Sequence, residues 1–317
     1  LIIITGPTGV GKTDISINLA KEINGEIISA DSIQVYKYMD IGSAKITQKE
    51  MQGIKHYLID VLDPSEAFNV FLFKKMATKA IDEIYKKNKI PIIVGGTGFY
   101  IQSIIYDIDF NDEPDNSNEI RNKYELLARN YGNDYVHNIL KSIDPESAAL
   151  IHANNLKRVI RALEYYEINH EKMSTHNKIE SQKNSPYNFA YFVLNRDREI
   201  LYNRINQRVD KMIEEGLIYE VKKLLEMNYN SSLVSMQGLG YKEIINYLDG
   251  TYGIDEAIEI IKRDTRRFAK RQLTWFRREK DVIMLNYEDY DNKKEIMLNA
   301  ILQHAKLKKI IWVFWLY

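Results

Sequence analysis

The chain has 317 residues, its formal net charge is zero, and 45% of its residues are hydrophobic. This length exceeds one ordinary domain, so we expect a core domain with a smaller inserted or appended one. The absence of cysteine excludes a disulfide framework, a thiolate zinc site and a thiol nucleophile. No apolar run approaches the ~20 residues that a membrane span needs, and we expect a cytoplasmic enzyme.

The first thirteen residues contain a phosphate-binding motif. The apolar run at 1–5 predicts a buried strand, and the pattern G-x-x-x-x-G-K-[ST] and an amphipathic helix follow it. The glycines of the motif let the backbone curl so that successive N–H groups point into one concavity. Lys12 would add a positive charge for the terminal phosphate, and the hydroxyl of Thr13 would bind Mg²⁺. The predicted diphosphate-binding residues are Gly6, Pro7, Thr8, Gly9, Val10, Gly11, Lys12 and Thr13.

Alternating strands and helices follow the motif. Further strands are predicted at 26–30, 56–62, 90–94 and 188–194, with a short one at 282–285 and a helix at 71–87. This alternation favours an α/β fold of the P-loop NTPase type, with a parallel sheet flanked by helices and right-handed crossovers. Ligands bind at the carboxyl ends of the strands in such sheets, and Thr8, Asp31 and Thr97 fall there.

A helical insertion interrupts the sheet pattern. Residues 111–184 show only helical signals, among them the cap Asp144 before Pro145. Asn155 precedes a stripe of apolar residues at helical spacing. The polar segment 177–185 is typical of a linker. The stripe consists of Leu156, Val159, Ile160 and Leu163.

These patterns predict two domains. Residues 1–110 and 186–317 would form the P-loop core with C-terminal helices, and residues 111–185 an all-helical inserted subdomain. The apolar segment 310–317 is too short to span a bilayer. A docked terminal segment and an altered reading frame both stay open as its explanation.

Asp31 is the main candidate for a catalytic residue. P-loop hydrolases usually hold Mg²⁺ with a second acid at the end of a neighbouring strand, but Gly95 and Gly96 follow the strand 90–94. This difference suggests that the bound phosphate is a handle or a leaving group. Asp31 could accept a proton from a nucleophile poised over the phosphate site, or it could cap a helix or hold Mg²⁺ indirectly, through one of the ligands of the ion.

The segment after this aspartate carries a resemblance to a known family. It reads D-S-x-Q-x-Y-K-x-M-D-I-G-x-A-K over 31–45 and, together with G-P-T-x-x-G-K-T at 6–13, resembles the tRNA dimethylallyltransferases (isopentenyl-tRNA transferases). The longer motif is far more specific than the phosphate loop. The resemblance covers nearly the whole chain except the linker and the apolar tail, and it continues through 63–65, 95–100, 154–164, 208–212, 238–243 and 269–277.

The resemblance implies a reaction and a set of site residues. A bacterial-type enzyme of this family would transfer the dimethylallyl group of dimethylallyl diphosphate to the N6 amine of the adenosine 3′ of a tRNA anticodon, releasing pyrophosphate. Asp31 would accept the amine proton, Lys12 and Thr13 would bind diphosphate and Mg²⁺, and Arg208 would face the diphosphate from the far side. The implied tRNA-binding positions are Asp31, Ser32, Ile33, Gln34, Thr97, Lys157, Arg158, Val159, Ile160, Arg161, Gly238, Leu239, Gly240, Tyr241, Lys242 and Glu243.

A basic helical face supports an RNA partner. Residues 262–280 contain nine Lys or Arg and two acids, and Arg263, Arg267, Lys270, Thr274 and Arg277 share one predicted face. A lone charge run is more often a solvated face, but the other motifs favour contact of Arg267 and Lys270 with phosphates of the anticodon stem-loop. The predicted buried stripe behind this face consists of Ala269, Leu273 and Phe276, widened by Phe268 and Trp275.

Two other functions stay open. A small-molecule or nucleotide kinase fits the phosphate loop equally well, although the sequence shows no arginine-rich lid near the core. A nucleic-acid-binding module with a structural nucleotide would leave Asp31 and Arg208 without a role. We expect a monomer for the transferase.

Overall fold

The computed structural model describes residues 1–108, 117–180 and 182–311. The chain folds into two compact units, Leu1–Ile104 with Tyr187–Tyr317, and Ile105–Pro186. The junctions between these units lie close to the predicted domain boundaries after residues 110 and 185. Within the described ranges, no helix combines the length and the apolar composition that crossing a membrane requires.

The first unit is built on a parallel sheet. In the described part of the chain the sheet has six strands in the order β3-β2-β4-β1-β5-β6, and every neighbouring pair is parallel. The apolar runs of β1 and β2 are buried along their whole length, as strands covered by helices on both faces must be. The predicted α/β fold is confirmed. The strands are β1 (Ile2–Thr5), β2 (Gly25–Ala30), β3 (His56–Tyr57), β4 (Ile90–Gly95), β5 (Ala190–Asn195) and β6 (Val282–Asn286).

Helices follow most of the strands. The fifth to ninth lie in the second unit, and the others belong to the first unit apart from Ile105 at the end of the fourth. They are α1 (Lys12–Glu22), α2 (Gln48–Met51), α3 (Val70–Lys86), α4 (Gly98–Ile105), α5 (Ser117–Tyr131), α6 (Asn133–Ile143), α7 (Pro145–Leu150), α8 (Leu156–Asn169), α9 (Met173–Glu180), α10 (Arg198–Glu214), α11 (Leu217–Glu226), α12 (Tyr241–Leu248), α13 (Ile254–Phe276) and α14 (Lys294–Leu307).

The third strand is shorter than predicted. The sequence predicts it over 56–62, but it ends at Tyr57, because Leu58 and Asp60 adopt positive φ angles of 61° and 55° that no strand accommodates. Leu62 instead forms an isolated parallel bridge with Tyr36. The end of this segment therefore supports the loop that follows β2.

The second unit has its own helical core. Buried side chains from α5, α6 and α8 fill it, among them Tyr124, Val136, Leu140, Val159 and Leu163. Val136 and Leu140 in α6, and Val159 and Leu163 in α8, have the i, i+4 spacing of the stripe that a helix presents to a core. The predicted helical character of this region is confirmed for the residues that the structure describes.

Asp144 organises the middle of the second unit. Its Oδ1 accepts the Ser147 N–H at 3.0 Å, which caps α7 as predicted, and its Oδ2 accepts the Ser174 N–H at 2.9 Å. The second contact anchors the start of α9. The prediction of a linker over 177–185 is therefore wrong for its first four residues, which belong to this helix.

The chain end is described as far as residue 311. Ile310 and Ile311 pack against the core of the first unit. The rest of the predicted apolar segment, 312–317, lies outside the described residues.

The ends of three strands set the position of the site. Gly95 lies between Thr5 and Ala30 in the register of the central strands, and the Thr5 hydroxyl donates to the Gly95 carbonyl at 2.7 Å. The residues that follow these strands therefore start from one row at the same edge of the sheet. Gly6, Asp31 and Gly96 open the three segments, as the sequence predicts.

Candidate active site

The phosphate loop connects β1 with α1 in a conformation that requires glycine. Gly6, Gly9 and Gly11 have φ angles of 143°, 79° and 106°, which other residues rarely adopt. A Cβ atom on Gly6 would also lie 2.4 Å from the carbonyl oxygen of Leu194. The motif therefore forms the strand–loop–helix arrangement that an anion site needs.

Lys12 lies among charged groups at the start of α1. Its Nζ donates to the carbonyl oxygens of Gly6 and Pro7, at 2.9 Å each. Burial, and next the positive charge of Arg208, lowers the pKa of Lys12 to about 7, while the carboxylate of Asp31 raises it. Without a bound anion, Lys12 is therefore only partly protonated at neutral pH.

Arg208 completes the positive group from α10. Its Nη1 lies 3.5 Å from the Thr8 hydroxyl of the phosphate loop. Burial lowers its pKa, the charge of Asp31 raises it, and the charge of Arg204 lowers it. A guanidinium stays protonated under such influences, so Arg208 supplies a permanent charge. The structure thus brings together Lys12, Asp31 and Arg208, which the sequence singles out.

Two arginines that the sequence analysis missed support the loop from its carbonyl side. Arg204 Nε donates to the Gly9 carbonyl at 2.8 Å, and Arg196 Nε donates to the Val10 carbonyl at 3.2 Å. The Arg196 guanidinium also lies 3.4 Å from the centre of the Tyr287 ring. Because these cations bind carbonyl oxygens, they add positive charge without occupying the loop's N–H donors.

Gln272 joins the phosphate loop to the end of β4. This buried side chain of α13 accepts the Thr8 N–H at 2.9 Å and donates to the Gly96 carbonyl at 3.0 Å. The sequence does not predict this role, because the predicted apolar stripe passes from Ala269 to Phe276 without Gln272. A polar residue in helical register with those two was the available signal.

Asp31 holds the start of the next loop. One carboxylate oxygen accepts the N–H groups of Ile33 and Gln34 at 2.9 and 3.2 Å. Residues 31–45 are all described and contain no helix, so Asp31 caps a turn of the loop rather than the helix that the alternative predicted, and its second oxygen is left for a different task. The Gln34 side-chain amide donates to the carbonyls of Ser43 and Ala44, at 3.3 Å each, and closes the loop on itself.

Thr97 lies beside this loop, at the start of α4. Its N–H donates to the carbonyl of Ala30, the last residue of β2, at 3.4 Å. The following Gly98 is covered by Trp275, since a Cβ atom there would lie 2.2 Å from the indole ring. The pairing of β2 with β4 thus places Thr97 close to Asp31, the residue that follows Ala30.

The motif at 238–243 packs against the same loop. Tyr241 and Glu243 are buried, and the Glu243 carboxylate accepts the Gly240 N–H at 2.8 Å to cap α12. A Cβ atom on Gly42 would lie 2.6 Å from the Tyr241 ring. Of the predicted tRNA-binding residues in this motif, Lys242 has a partly exposed side chain that could contact RNA directly.

The other basic motif lies in the second unit, on α8. Val159 and Ile160 are buried in the core of that unit, whereas Lys157 and Arg158 are exposed. Arg161 forms an ion pair with a buried glutamate at 3.0 Å. The surface of this motif is therefore basic and its apolar members are structural.

The predicted basic face of α13 is exposed. Arg263, Arg267, Lys270, Thr274 and Arg277 are all exposed, with Ala269 and Phe276 buried behind them. Arg267 forms an ion pair of 3.2 Å with Asp264, one turn earlier in the helix. This side of the helix borders a concavity of about 440 Å³ lined by Arg267, Lys270, Arg271, Thr274, Trp275 and Arg278.

The residues around α1 fit a magnesium ion that a diphosphate helps to hold. Thr13 is exposed in the first turn and offers a hydroxyl of the kind that Mg²⁺ accepts. The next residue, Asp14, is paired with Lys294. Among the described residues no group of three His, Cys, Asp or Glu could hold a metal, so the oxygens of the substrate would supply further ligands.

Comparison with known proteins identifies related sequences along nearly the whole chain. A family model described as IPP transferase matches residues 34–279. The tRNA dimethylallyltransferases of Lachnoclostridium phytofermentans and Clostridioides difficile are 57% and 55% identical to this chain, over 95% of its length and 96% of the length of each relative.

Solved structures agree with the sequence relatives. The tRNA isopentenylpyrophosphate transferase of Bacillus halodurans is 44% identical with a TM-score of 0.72, covering 97% of both chains. A eukaryotic dimethylallyltransferase acting on tRNA is 30% identical with a TM-score of 0.75, covering 90% of this chain and 73% of that one. These similarities select the transferase over the kinase among the functions that the phosphate loop leaves open.

Pyrophosphate binding is expected to protonate Lys12. Its pKa of about 7 leaves it mostly neutral near pH 8 in the free protein, and the charge of the ligand raises that pKa. Binding near pH 8 should therefore take up close to one proton more in the parent than in Lys12→Met, and the difference should vanish near pH 6. Calorimetry in buffers of different ionisation enthalpy measures this. Lys21→Met is the control, and equal proton uptake by the parent and Lys12→Met near pH 8 would contradict the prediction.

Gln272→Met is expected to weaken pyrophosphate binding. It keeps the side-chain volume but leaves the Thr8 N–H and the Gly96 carbonyl without this partner, at a cost of about 1–3 kcal/mol for each buried group. We expect a lower melting temperature and an affinity reduced by about tenfold. Gln207→Met, at an exposed position of α10, is the matched control. Equal affinities of the two variants would show that Gln272 does not shape the loop.

Proposed function

The chain belongs to the IPP transferase family, and we propose that its site transfers the dimethylallyl group of dimethylallyl diphosphate to N6 of the adenosine 3′ of a tRNA anticodon. The observation that carries this proposal is the cluster of Lys12, Arg208 and Asp31 at the row of strand ends. Two basic side chains lie there near one carboxylate, an arrangement that suits a departing diphosphate, which would hold Lys12 in its charged form, and a nucleophile that must lose a proton. A tRNA substrate implies the cytoplasm as the place of the reaction, and the monomeric state stays a prediction.

The cations would stabilise the leaving group. Transfer of an allyl group develops positive charge on the allyl carbons and negative charge on the diphosphate, so a catalyst must concentrate cations at the phosphates. Lys12 and Arg208 lie at the phosphate loop, with Arg204 behind it. These groups are held in place before the substrate binds, and no reorganisation is needed when the charge develops.

A magnesium ion would add to this charge. Thr13 and the diphosphate oxygens would hold it, and a bound Mg²⁺ neutralises phosphate charge as the bond to carbon breaks. The loop amides and Lys12 would bind the remaining phosphate oxygens.

Asp31 would accept the proton of the attacking amine. Its first oxygen caps the turn at Ile33 and Gln34, which fixes the direction of the carboxylate. The second oxygen is then oriented by the loop for proton transfer. The resemblance assigns contact with the adenine to Ser32 and Gln34 and contact with the reacting nucleotide to Thr97, and these residues lie on the segments that flank Asp31.

The RNA would bind through its phosphates and one extruded base. An adenine in an anticodon loop must leave its stack before its amine can be attacked. The exposed arginines and lysines of α13, and separately those of α8, offer contacts to the backbone that fix the RNA while the base is held.

The direct test is to incubate the protein and Mg²⁺ with unmodified tRNA and either dimethylallyl diphosphate or ATP, and to analyse the nucleosides by mass spectrometry. We expect a dimethylallyl group on one adenosine with the first donor and no product from ATP. Hydrolysis of ATP without tRNA at about 1 s⁻¹ or faster would overturn the proposal and favour a kinase or hydrolase.

Asp31→Asn is expected to lower kcat by roughly 10²–10⁴-fold while tRNA affinity stays near that of the parent. Asparagine keeps an oxygen that can accept the two loop N–H groups but cannot take the amine proton. Single-turnover rates and tRNA binding by filter retention measure the two effects. A rate above about half that of the parent would leave Asp31 with the capping role alone.

Arg267→Ala combined with Lys270→Ala is expected to weaken tRNA binding and its salt dependence. Each lost phosphate contact should lower the slope of log K against log salt by roughly 0.7–0.9. The control is Lys75→Ala with Lys79→Ala, an equal change of charge at exposed positions of α3. An unchanged slope in the α13 variant would mean that this face is merely solvated.

A further inference from the structure

A buried glutamate outside the phosphate site holds three consecutive backbone N–H groups of the loop after β2. Glu220 Oε2 accepts from the N–H groups of Asp40 and Ile41 at 2.9 and 2.7 Å, and its Oε1 accepts from that of Gly42 at 3.0 Å. The Tyr241 hydroxyl donates to the same Oε1 at 2.8 Å. Both carboxylate oxygens therefore accept two hydrogen bonds each, and three of the four donors lie 178 to 180 residues away in the sequence.

The loop that this carboxylate holds, residues 31–45, is costly to form. All of its residues are described, and they form turns and bends rather than a helix or a strand. Tyr38 and Ala44 have φ angles of 66° and 46°, in the left-handed region that disfavours residues with a side chain. Such conformations persist where the surroundings over-determine them. Glu220 is one such constraint, and Lys45, which donates to the Tyr36 carbonyl at 2.7 Å, is another.

A short chain of contacts leads from this anchor to the residue that would read the base. The three N–H groups belong to residues 40–42, and the next two residues, Ser43 and Ala44, accept the side-chain amide of Gln34. A shift of the anchored segment would therefore move or release the Gln34 side chain. Glu220 can therefore influence the position of Gln34 without touching the substrate, because residues 40–44 connect the two side chains.

The hydroxyl of Tyr241 stays protonated as a donor in this network. Burial raises its pKa well above the ordinary value, and the charge of Glu220 raises it further. Its ring packs on Gly42, so α12 and α11 hold the same turn from two sides. Tyr241 therefore belongs to the interior support of the loop rather than to its exposed surface.

We propose that Glu220 is a positioning residue for tRNA, which holds the 31–45 loop in the shape that receives the adenosine. This inference rests on the proposed function. Glutamine in place of Glu220 has one acceptor oxygen and an NH₂ group, so it would turn a donor toward some of the four donors that now meet a carboxylate. The loop should then lose its fixed shape while the phosphate loop keeps its own contacts.

The test compares Glu220→Gln with Glu226→Gln, the same change at an exposed position of the same helix. We expect Glu220→Gln to lower kcat/KM for tRNA by about 10- to 100-fold, the cost of a small displacement of a positioning group, with pyrophosphate affinity within about twofold of the parent. Hydrogen exchange at the amides of residues 40–42 should be about tenfold faster than in the parent. Glu226→Gln should match the parent in all three measurements.

Tyr241→Phe provides a milder change in case Glu220→Gln does not fold. It removes only the hydroxyl donor and keeps the ring on Gly42, and we expect a smaller change of kcat/KM in the same direction. Unchanged kcat/KM for tRNA in Glu220→Gln would overturn the inference, as would an equal loss of pyrophosphate affinity, which would indicate a general structural role. Absence of prenylation by the parent would instead overturn the proposed function, while the exchange at residues 40–42 would still report whether Glu220 holds the loop.

Discussion

The parallel alignment of β1, β2 and β4 is the constraint on which the site depends. Their last residues, Thr5, Ala30 and Gly95, lie in one row, so the phosphate loop, the 31–45 loop and the start of α4 leave the sheet from a common edge. A one-residue slip of β4 would shift the Gly95-Gly96 segment out of this row and turn the side chains of β4 to the other face of the sheet. Two contacts favour the observed register: the Thr5 hydroxyl donates to the Gly95 carbonyl at 2.7 Å, and a Cβ atom at the position of Gly95 would lie 2.2 Å from the carbonyl oxygen of Ala30.

The loops that leave this row are held by side chains from much later in the chain. Gln272 binds the phosphate loop across 264 residues, and Glu220 binds residues 40–42 across 178 to 180 residues. Neither loop satisfies these backbone groups within itself, so its shape requires that α11 and α13 are already packed. Binding of substrates to these loops is thereby coupled to the stability of the C-terminal helices.

Charge is distributed unevenly although the net charge is zero. Lys12, Arg208 and Arg204 converge on the phosphate loop. Burial first, and then the charge of Arg208, lowers the pKa of Lys12, and burial and the charge of Arg204 lower the pKa of Arg208. Asp31 opposes this effect for both. The free protein therefore keeps an excess of positive charge in a partly desolvated place, and a diphosphate relieves that cost when it binds.

Much of this protein could be read from the sequence alone, because the relevant signals are local or periodic. The phosphate loop with its strand and helix, the catalytic candidate Asp31, the helical insertion and the exposed face of α13 follow from short-range geometry. Predictions were wrong where the structure of a segment depends on contacts with other parts of the chain. The third strand stopped early at Leu58, and a predicted linker began as a helix held by Asp144.

Only the tertiary structure decided which polar residues serve the interior. Gln272 and Glu220 share the helical register of the buried residues around them, but the sequence does not tell which groups they meet there. Tyr241 lies in a motif to which the family resemblance assigns RNA contact. In the structure all three are buried against loop backbone. A sequence states which donors and acceptors a side chain carries, but the packing of distant helices determines which backbone groups it must satisfy.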